Sequence, residues 1–483
     1  MLHLLKEYAE KKGLVSEPGF APDTVRWVIV FSDTGEFLEV VELGNPEEKR
    51  NRGQAFTRCP KLSFSDLKSG SIVKCHFLVE TVDVVTLISG EKADPKTVKK
   101  HKYFLDLLNK AGEVMPNLRT VAEMLESEDG KRQIHARLVE LKVKPSEKIT
   151  LRIGLDFPVE NSSLHDWWRD FRADLVPSTK KVKSEKGKSP QSMRSLVTGN
   201  LVQPAKTTPK TKHLAGVGGL GTGDVLIGFK QESFCSYGLK QAYNAAVDEE
   251  ESYVYVDALN DILTNHSTRL AGAKVAHWFK EQIPKDNDPM NLLVEADDLS
   301  ELNAQRRARQ MLESVRSGQV PKLHNNYFYA LTLSGASGRV MVRDWMEGQF
   351  EELAGNIKNW FDDLEIVHRS GSGTAPSPKF MAVLGATVRD LKNLSAPFVT
   401  KMWRVAVRSE PIPQSALAHA LDRLRVDIIN DKPPNHARMG LMKAYHVRQD
   451  KLKGKESNMK SNLNPHHPSP AYHCGRLLAV LAG

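Results

Sequence analysis

Four groups of residues in this sequence have the types and spacing that chemistry could use. Gly216, Gly218 and Gly221 fit G-x-G-x-x-G letter for letter. In a dinucleotide site such glycines follow a strand and let the backbone approach a pyrophosphate held at a helix N-terminus. Here the polar run TTPKTKH precedes the glycines, and Val225–Phe229 reads as a strand, so no helix begins where the phosphate needs one. His165-Asp166 has the form of a phosphohydrolase metal dipeptide, but that chemistry requires a full coordinating set. The adjoining Trp167 and Trp168 predict a packed helix instead. His466, His467, His473 and Cys474 are zinc-type ligands without the paired spacing of a closed zinc site, and read as a polar loop before a helix. Asp248–Glu251 is an acidic block at a predicted helix start, where negative charge interacts favourably with the dipole. No nucleophile elbow, phosphate-loop lysine or kinase set occurs. We therefore expect a non-catalytic chain with no cofactor and no metal.

Residues suited to nucleic acid are more numerous. The net charge is +9, and between Pro177 and His213 nine Lys/Arg face one acid, a net of +8. Lys180, Lys181, Lys183, Lys186 and Lys188 lie there among Ser, Thr, Pro and Gly, a mixture that buries no apolar surface and predicts a solvated loop. Such an arm attracts phosphates by charge alone. A second excess, +5, lies between Arg438 and Lys460, which leaves the remainder at −4. Lys99, Lys100 and Lys102 precede Tyr103 and Phe104, a pattern suited to backbone contact beside a packed aromatic edge, or to a helix start with a solvated face. Tyr237, Gln241 and Asn244 are neutral hydrogen-bonding groups near the main basic region. Gln and Asn both donate and accept, as base-edge reading requires, although such residues also serve turns and helix caps. Arg339 and Arg343 alternate on one predicted strand, placed for phosphates or for cross-strand acids.

The elements that must position these groups form an α+β chain: mixed N-terminal and middle parts, then a mainly helical C-terminal part. Leu2–Lys11 has helical spacing, and Arg26–Phe31 and Glu36–Leu43 flank the turn Asp33-Thr34-Gly35. Ser71–Val79 and Asp83–Ile88 read as β-rich; Thr97–Ala111 and Val121–Leu138 as helical, the latter interrupted at Asp129-Gly130. Helix Glu249–Leu263, strand Lys274–Trp278 and helix Leu299–Arg316 follow. Strands Tyr327–Leu333 and Arg339–Trp345 then flank a turn. In Gln414–Ile429, Leu417, Leu421, Leu424 and Ile428 recur at helical spacing. Domain segments are drawn at 1–176, 177–223, 224–350 and 351–483. Cys59, Cys75, Cys235 and Cys474 show no C-x-x-C, which suits free thiols in a reducing, cytoplasmic compartment. No apolar run has the length of a membrane span.

One further pattern spans the chain. A Leu-Val-Thr-Gly turn (Leu196–Gly199), Pro204, His213, the glycine run, Phe229 and Ser-Tyr-Gly (Ser236–Gly238) lead to Gln241, Asn244-Ala245 and Ala258-Leu-Asn260. MLHLLKEYAEKKG, CHFLVETVDVVTLI with KKHKYF, NNYFYALTLSGASGRVMVRDW and AYHCGRLLAVL flank it in order. This resembles the large subunit of the type I-C CRISPR interference complex. Lys230 stands where that family has asparagine, and Ala246 where it often has proline. The family's Gly-Arg-Leu helix continues into a helical bundle, whereas this sequence ends at Gly483, so the bundle is either cut away or supplied separately. The resemblance implies a subunit that reads a short motif beside the target, helps open the duplex, forms the R-loop and recruits a helicase-nuclease. Its implied partners are crRNA, target duplex DNA with its displaced single strand, the backbone and 5′-handle-binding subunits, a small helical subunit and that effector. A general nucleic-acid-binding protein and a metal-dependent nuclease are the rival readings.

Overall fold

A computed structural model describes residues 1–14, 17–45, 53–63, 66–67, 72–175, 192–294, 304–316 and 325–482. The chain forms two units. One holds Leu2–Pro209 with Ile227–Asp257; the other holds Lys210–Leu226 with Ala258–Gly483. These units cut the sequence-drawn segments 177–223 and 224–350 internally. The architecture is mixed α+β with a helical C-terminal region.

In the first unit Trp27–Phe31 is buried along its whole length. It pairs antiparallel with Phe37–Glu42 and parallel with Lys148–Ile153, whose far edge takes Glu80–Thr81. The run WVIVF suits a strand covered on both faces. A parallel neighbour needs a long crossover, and helices Pro95–Ala111, Asn117–Glu126 and Glu128–Glu140 lie within it. They bury Phe104, Leu108, Val121, Leu125 and Ile134 in one core with the strand. Helix Ser162–Leu175 adds Trp168, which stacks on Phe77 and donates its indole N–H to the Gly19 carbonyl at 2.8 Å.

Three sequence expectations fail here. Residues 72–79 form no strand, and Val82–Thr86 is a short helix. Leu78 and Leu87 take left-handed φ of 62° and 50°, which breaks an extended run that hydrophobicity alone cannot distinguish from a helix. The predicted interruption at Asp129-Gly130 falls instead at Ser127, whose hydroxyl accepts the Gly130 N–H at 3.0 Å as an N-cap. Gly130 lies inside the helix, where a Cβ would strike the Met124 carbonyl, so the position requires glycine.

The second unit is built on an antiparallel meander. Its strand order is Arg339–Gln349, Tyr327–Ala336, Ala273–Phe279, Ser267–Leu270. The two longest strands extend beyond their predicted ends and leave a two-residue turn, Ser337-Gly338, with both φ positive. Helices Phe350–Leu364, Ala396–Arg408, Gln414–Ile429 and His436–Leu452 carry the core around Trp360, Phe380 and Trp403. Arg448 is almost fully buried. It donates to the Asp363 carboxylate (2.9 Å) and to the Val405 and Glu410 carbonyls (2.5 and 2.7 Å). Lys443 donates to the carbonyls of Asp362, Asp363 and Glu365, a cation on the C-terminal turn of helix Phe350–Leu364. On Gln414–Ile429 the predicted face is displaced: Ala416, Ala420 and Asp427 are buried, Leu417, Leu421 and Leu424 are half-buried, and Ile428 is 64% exposed. Asp427 is drawn inward by Arg438 of the next helix, and the small alanines allow close approach.

Asp23 ties the two-stranded sheet of Phe20–Val25 and Gln54–Pro60 to Lys148, with Lys61 alongside. Burial works to raise its carboxyl, but Lys148 and Lys61 outweigh burial and hold it below the ordinary carboxylate range. A depressed native pKa contributes stability that is complete above the unfolded value of about 3.9. That stability disappears as pH falls through the native value. We predict that Asp23→Asn lowers the melting temperature at pH 7, and that the gap to the parent closes as pH is lowered past about 4. A gap constant from pH 7 to the acid limit would contradict the pairing.

Candidate nucleic-acid interface

From Ser192 to Val247 the chain has little regular structure: the two-residue strands Met193–Arg194 and Leu201–Val202, isolated bridges at Thr211, Asp224 and Val225, and short 3₁₀ turns. The first-unit parts of this segment, 192–209 and 227–247, are fastened to the start of helix Glu249–Asn265. Asp248 caps that helix, accepting the Glu251 N–H at 2.8 Å, and Glu251 returns by accepting the Asp248 N–H at 3.3 Å. This reciprocal pair is a capping box. The Glu251 carboxylate, 7% exposed, also accepts the hydroxyls of Ser195 (2.7 and 2.8 Å to its two oxygens) and Thr198 (2.6 Å). The Ser195 oxygen accepts the Val197 N–H at 2.9 Å, closing the Leu-Val-Thr-Gly turn. Backbone bonds from Leu196 N to Ala246 O and from Ala205 N to Val247 O, both 2.8 Å, run beside it. Arg172 binds Asp66 and Glu249 at the same helix end. Burial pushes the carboxyls of Asp248 and Glu249 upward, and the Arg172 charge only partly offsets this at Glu249.

The glycine run has a structural reason in the second unit. Thr211 and Asp224 exchange both backbone hydrogen bonds at 2.8 Å, and the buried Asp224 carboxylate accepts the Leu220 N–H at 3.2 Å. Gly218 has φ +88°, and a Cβ on Gly335 would strike the Cα of Gly219. Backbone thus lies on backbone, as only glycines permit. The predicted strand Val225–Phe229 reduces to one parallel bridge from Val225 to Arg339. Beyond that bridge residues 226–229 join no ladder among the described residues, and the Ile227 carbonyl accepts the Thr208 hydroxyl at 2.7 Å.

Tyr237, Gln241 and Asn244 come together in one loop. The Asn244 amide is spent within it, its oxygen accepting Ser236 N–H (2.7 Å) and its nitrogen donating to the Leu239 and Gln241 carbonyls (both 3.0 Å). Asn244 therefore shapes the loop. Tyr237 stands fully exposed at the tip and Gln241 is exposed, each with φ +53°. Left-handed φ at non-glycine residues costs about 1 kcal/mol or more and recurs at binding sites.

The other candidates are dispersed. Lys99 and Lys102 lie on the exposed face of helix Pro95–Ala111 and Lys100 is half-buried. His101 turns inward to the Val84 carbonyl at 2.9 Å. Arg339 and Arg343 are exposed on the second unit's outer strand, but a register shift there breaks their alternation. Arg343 donates to the Ser334 hydroxyl at 2.8 Å, not to an acid. Lys180, Lys181, Lys183, Lys186 and Lys188 lie outside the described residues.

His165 is buried, with Nε2 at 2.8 Å from the Val159 carbonyl and its ring edge-on to Phe20, while Asp166 pairs with Arg169. His473 and Cys474 lie within helix Pro470–Ala482, not in the loop before it, and the His473 ring bonds the His467 carbonyl. Among the described residues no three His, Cys, Asp or Glu side chains cluster as metal ligands, and no helix is long and apolar enough to cross a membrane.

Read as a sequence, the acidic block suggested only a dipole effect; its role as the anchor for Ser195 and Thr198 was missed. The three-residue spacing of Asp248 and Glu251 was the available signal. Residues 3–483 match the family model described as CRISPR-associated protein (Cas_Csd1), so this mixed α+β chain belongs to that family of CRISPR-associated proteins. No curated protein matches the chain.

We predict that Glu251→Ala, which leaves the Ser195 and Thr198 hydroxyls without their acceptor, costs about 2–4 kcal/mol in denaturant unfolding. Proteolysis should then open within 192–248 first. A loss below about 0.5 kcal/mol would show that the segment is held elsewhere.

Proposed function

We propose that this Cas_Csd1-family chain is the non-catalytic large subunit of a type I-C, crRNA-guided surveillance complex. It recognises a short motif flanking the DNA target, helps separate the strands and form the R-loop, and presents the opened complex to a helicase-nuclease. Its partners in this reading are crRNA, the duplex and displaced strand of the target, the backbone and 5′-handle-binding subunits and a small helical subunit, all in the cytoplasm. Family membership over nearly the whole chain supports the CRISPR setting.

The observation that carries the recognition step is the 236–244 loop: a fully exposed tyrosine and an exposed glutamine on a turn stapled from inside by Asn244. An aromatic ring held out by a rigid turn stacks on an unpaired base, worth about 1–3 kcal/mol by alanine substitution. A glutamine amide beside it reads a base edge. That scale matters because exchanging a DNA duplex for a guide–target heteroduplex is close to balanced. Modest binding energy at the first base pairs is then enough to start opening, without bond-breaking chemistry.

Assembled complexes carrying Tyr237→Ala or Gln241→Ala should be compared on targets that differ only in the flanking motif. Gln241→Ala is expected to narrow discrimination by about 1–3 kcal/mol. Tyr237→Ala should slow R-loop formation while melting stays unchanged. Equal losses on every flanking sequence would remove this loop as the reader.

A further inference from the structure

A cleft in the second unit takes no part in the interface above. Its volume is about 580 Å³, and it lies between the loop after helix Phe350–Leu364 and the loop before helix His436–Leu452. His368, Arg369, Lys432 and His436 line it. The first pair sits on a small hairpin closed by a bridge from Val367 to Thr374 and by a bond from His368 N to Gly373 O at 2.9 Å. The second pair is carried across Pro433 and Pro434, which also line the cleft, as do Pro376 and Pro378. Proline fixes φ in the chain that carries these groups, so little conformational freedom remains to be lost on binding.

The electrostatics are one-sided. The acid on the wall, Asp427, is already committed to Arg438 and lies 3.8 Å from Arg423. Arg369 and Lys432 are exposed and make no ion pair with any described residue. The imidazoles of His368 and His436 sit 4.8 Å apart, and the Arg369 backbone N–H donates to His436 Nε2 at 3.0 Å. That bond places the His436 proton on Nδ1, leaving an N–H donor. Burial, and then the charges of His368 and Arg369, hold His436 below the usual histidine range. The cleft thus presents a guanidinium, an ammonium and imidazole donors, with its carboxylate neutralised.

We propose that this cleft is a phosphate-binding site. Arg369 supplies a planar fork for two phosphate oxygens, Lys432 a point charge, and the imidazoles further N–H donors. The ligand class is a phosphate ester, drawn either from the backbone of a nucleic-acid strand or from a small phosphorylated compound. The cleft is open to solvent, and its volume is larger than an inorganic ion needs.

The test is lysine acetylation of the full chain read by mass spectrometry. Lys432 is the reporter, and Lys392, whose side chain is 86% exposed and which does not line the cleft, is the reference. Inorganic phosphate and a short oligothymidylate are the two probes. Protection of Lys432 by the oligonucleotide at lower phosphate-equivalent concentration assigns the site to a nucleic-acid backbone. Equal or better protection by inorganic phosphate assigns it to a small phosphate compound. In either case Arg369→Ala should raise the half-protecting concentration roughly tenfold, with melting unchanged, and Arg369→Lys should recover part of the loss. No selective protection of Lys432 by either probe, or protection indifferent to Arg369→Ala, overturns the site. Neither guide RNA nor a flanking motif enters this experiment, so its failure and that of the proposed function are separately visible.

Discussion

The Glu251 carboxylate is the constraint on which the candidate interface depends. A stretch of more than fifty residues, 192–247, carries almost no ladder or helix of its own to satisfy its backbone. Such a segment holds one shape only if fixed elements supply hydrogen-bond partners. Glu251 accepts the Ser195 and Thr198 hydroxyls while also closing the capping box with Asp248. The carboxylate is thereby shared between the helix start and the turn that begins the irregular segment. Buried and multiply bonded, it is a high-stakes group: fully satisfied it rigidifies, and deprived of a partner it destabilises.

Further along, the same logic recurs with other chemistry. Asn260 accepts the Lys212 N–H at 2.7 Å, Asp224 holds the Leu220 amide, and Asn244 staples the Tyr237 turn. Most residues that give this region its recognisable pattern are therefore positioning groups. What they position is small: an aromatic ring and an amide at the surface. A binding module can work this way, since the strain and ordering of the loop are met by the fold before any ligand arrives.

Much of the fold was legible in the sequence wherever periodicity was long and uninterrupted. Gln414–Ile429 and Glu249–Asn265 appear at or near their expected bounds, and the two long strands of the meander start where expected and run past their expected ends. Reading failed where local signals have two meanings. The Val-rich run at 82–86 folds as a helix after a left-handed Leu78. Asp129-Gly130 reads as a breaker, yet the glycine is there for close packing inside a helix. Ile428 fits a helical stripe but faces outward because Arg438 draws Asp427 in. The glycine run was correctly denied a phosphate role, but its backbone contact with Gly335 carried no signal in the sequence. For the candidate site, residue types put Tyr237, Gln241 and Asn244 on an equal footing; hydrogen bonding separates the exposed Tyr237 and Gln241 from Asn244, whose amide is consumed within the loop. The cleft at Arg369 was invisible because its four polar groups come from loops more than sixty positions apart.

Membership of the Cas_Csd1 family places the chain among CRISPR-associated proteins; that it works as a guide-programmed DNA reader is the proposal to be tested. The most direct measurement is to co-express it with the neighbouring subunits and a repeat–spacer array, purify through a tag on this chain, and sequence the RNA recovered. The account predicts a stoichiometric assembly containing one processed repeat-derived RNA. Recovery of the chain alone would contradict it, and recovery with bulk cellular nucleic acid and no guide would identify a general nucleic-acid-binding protein instead.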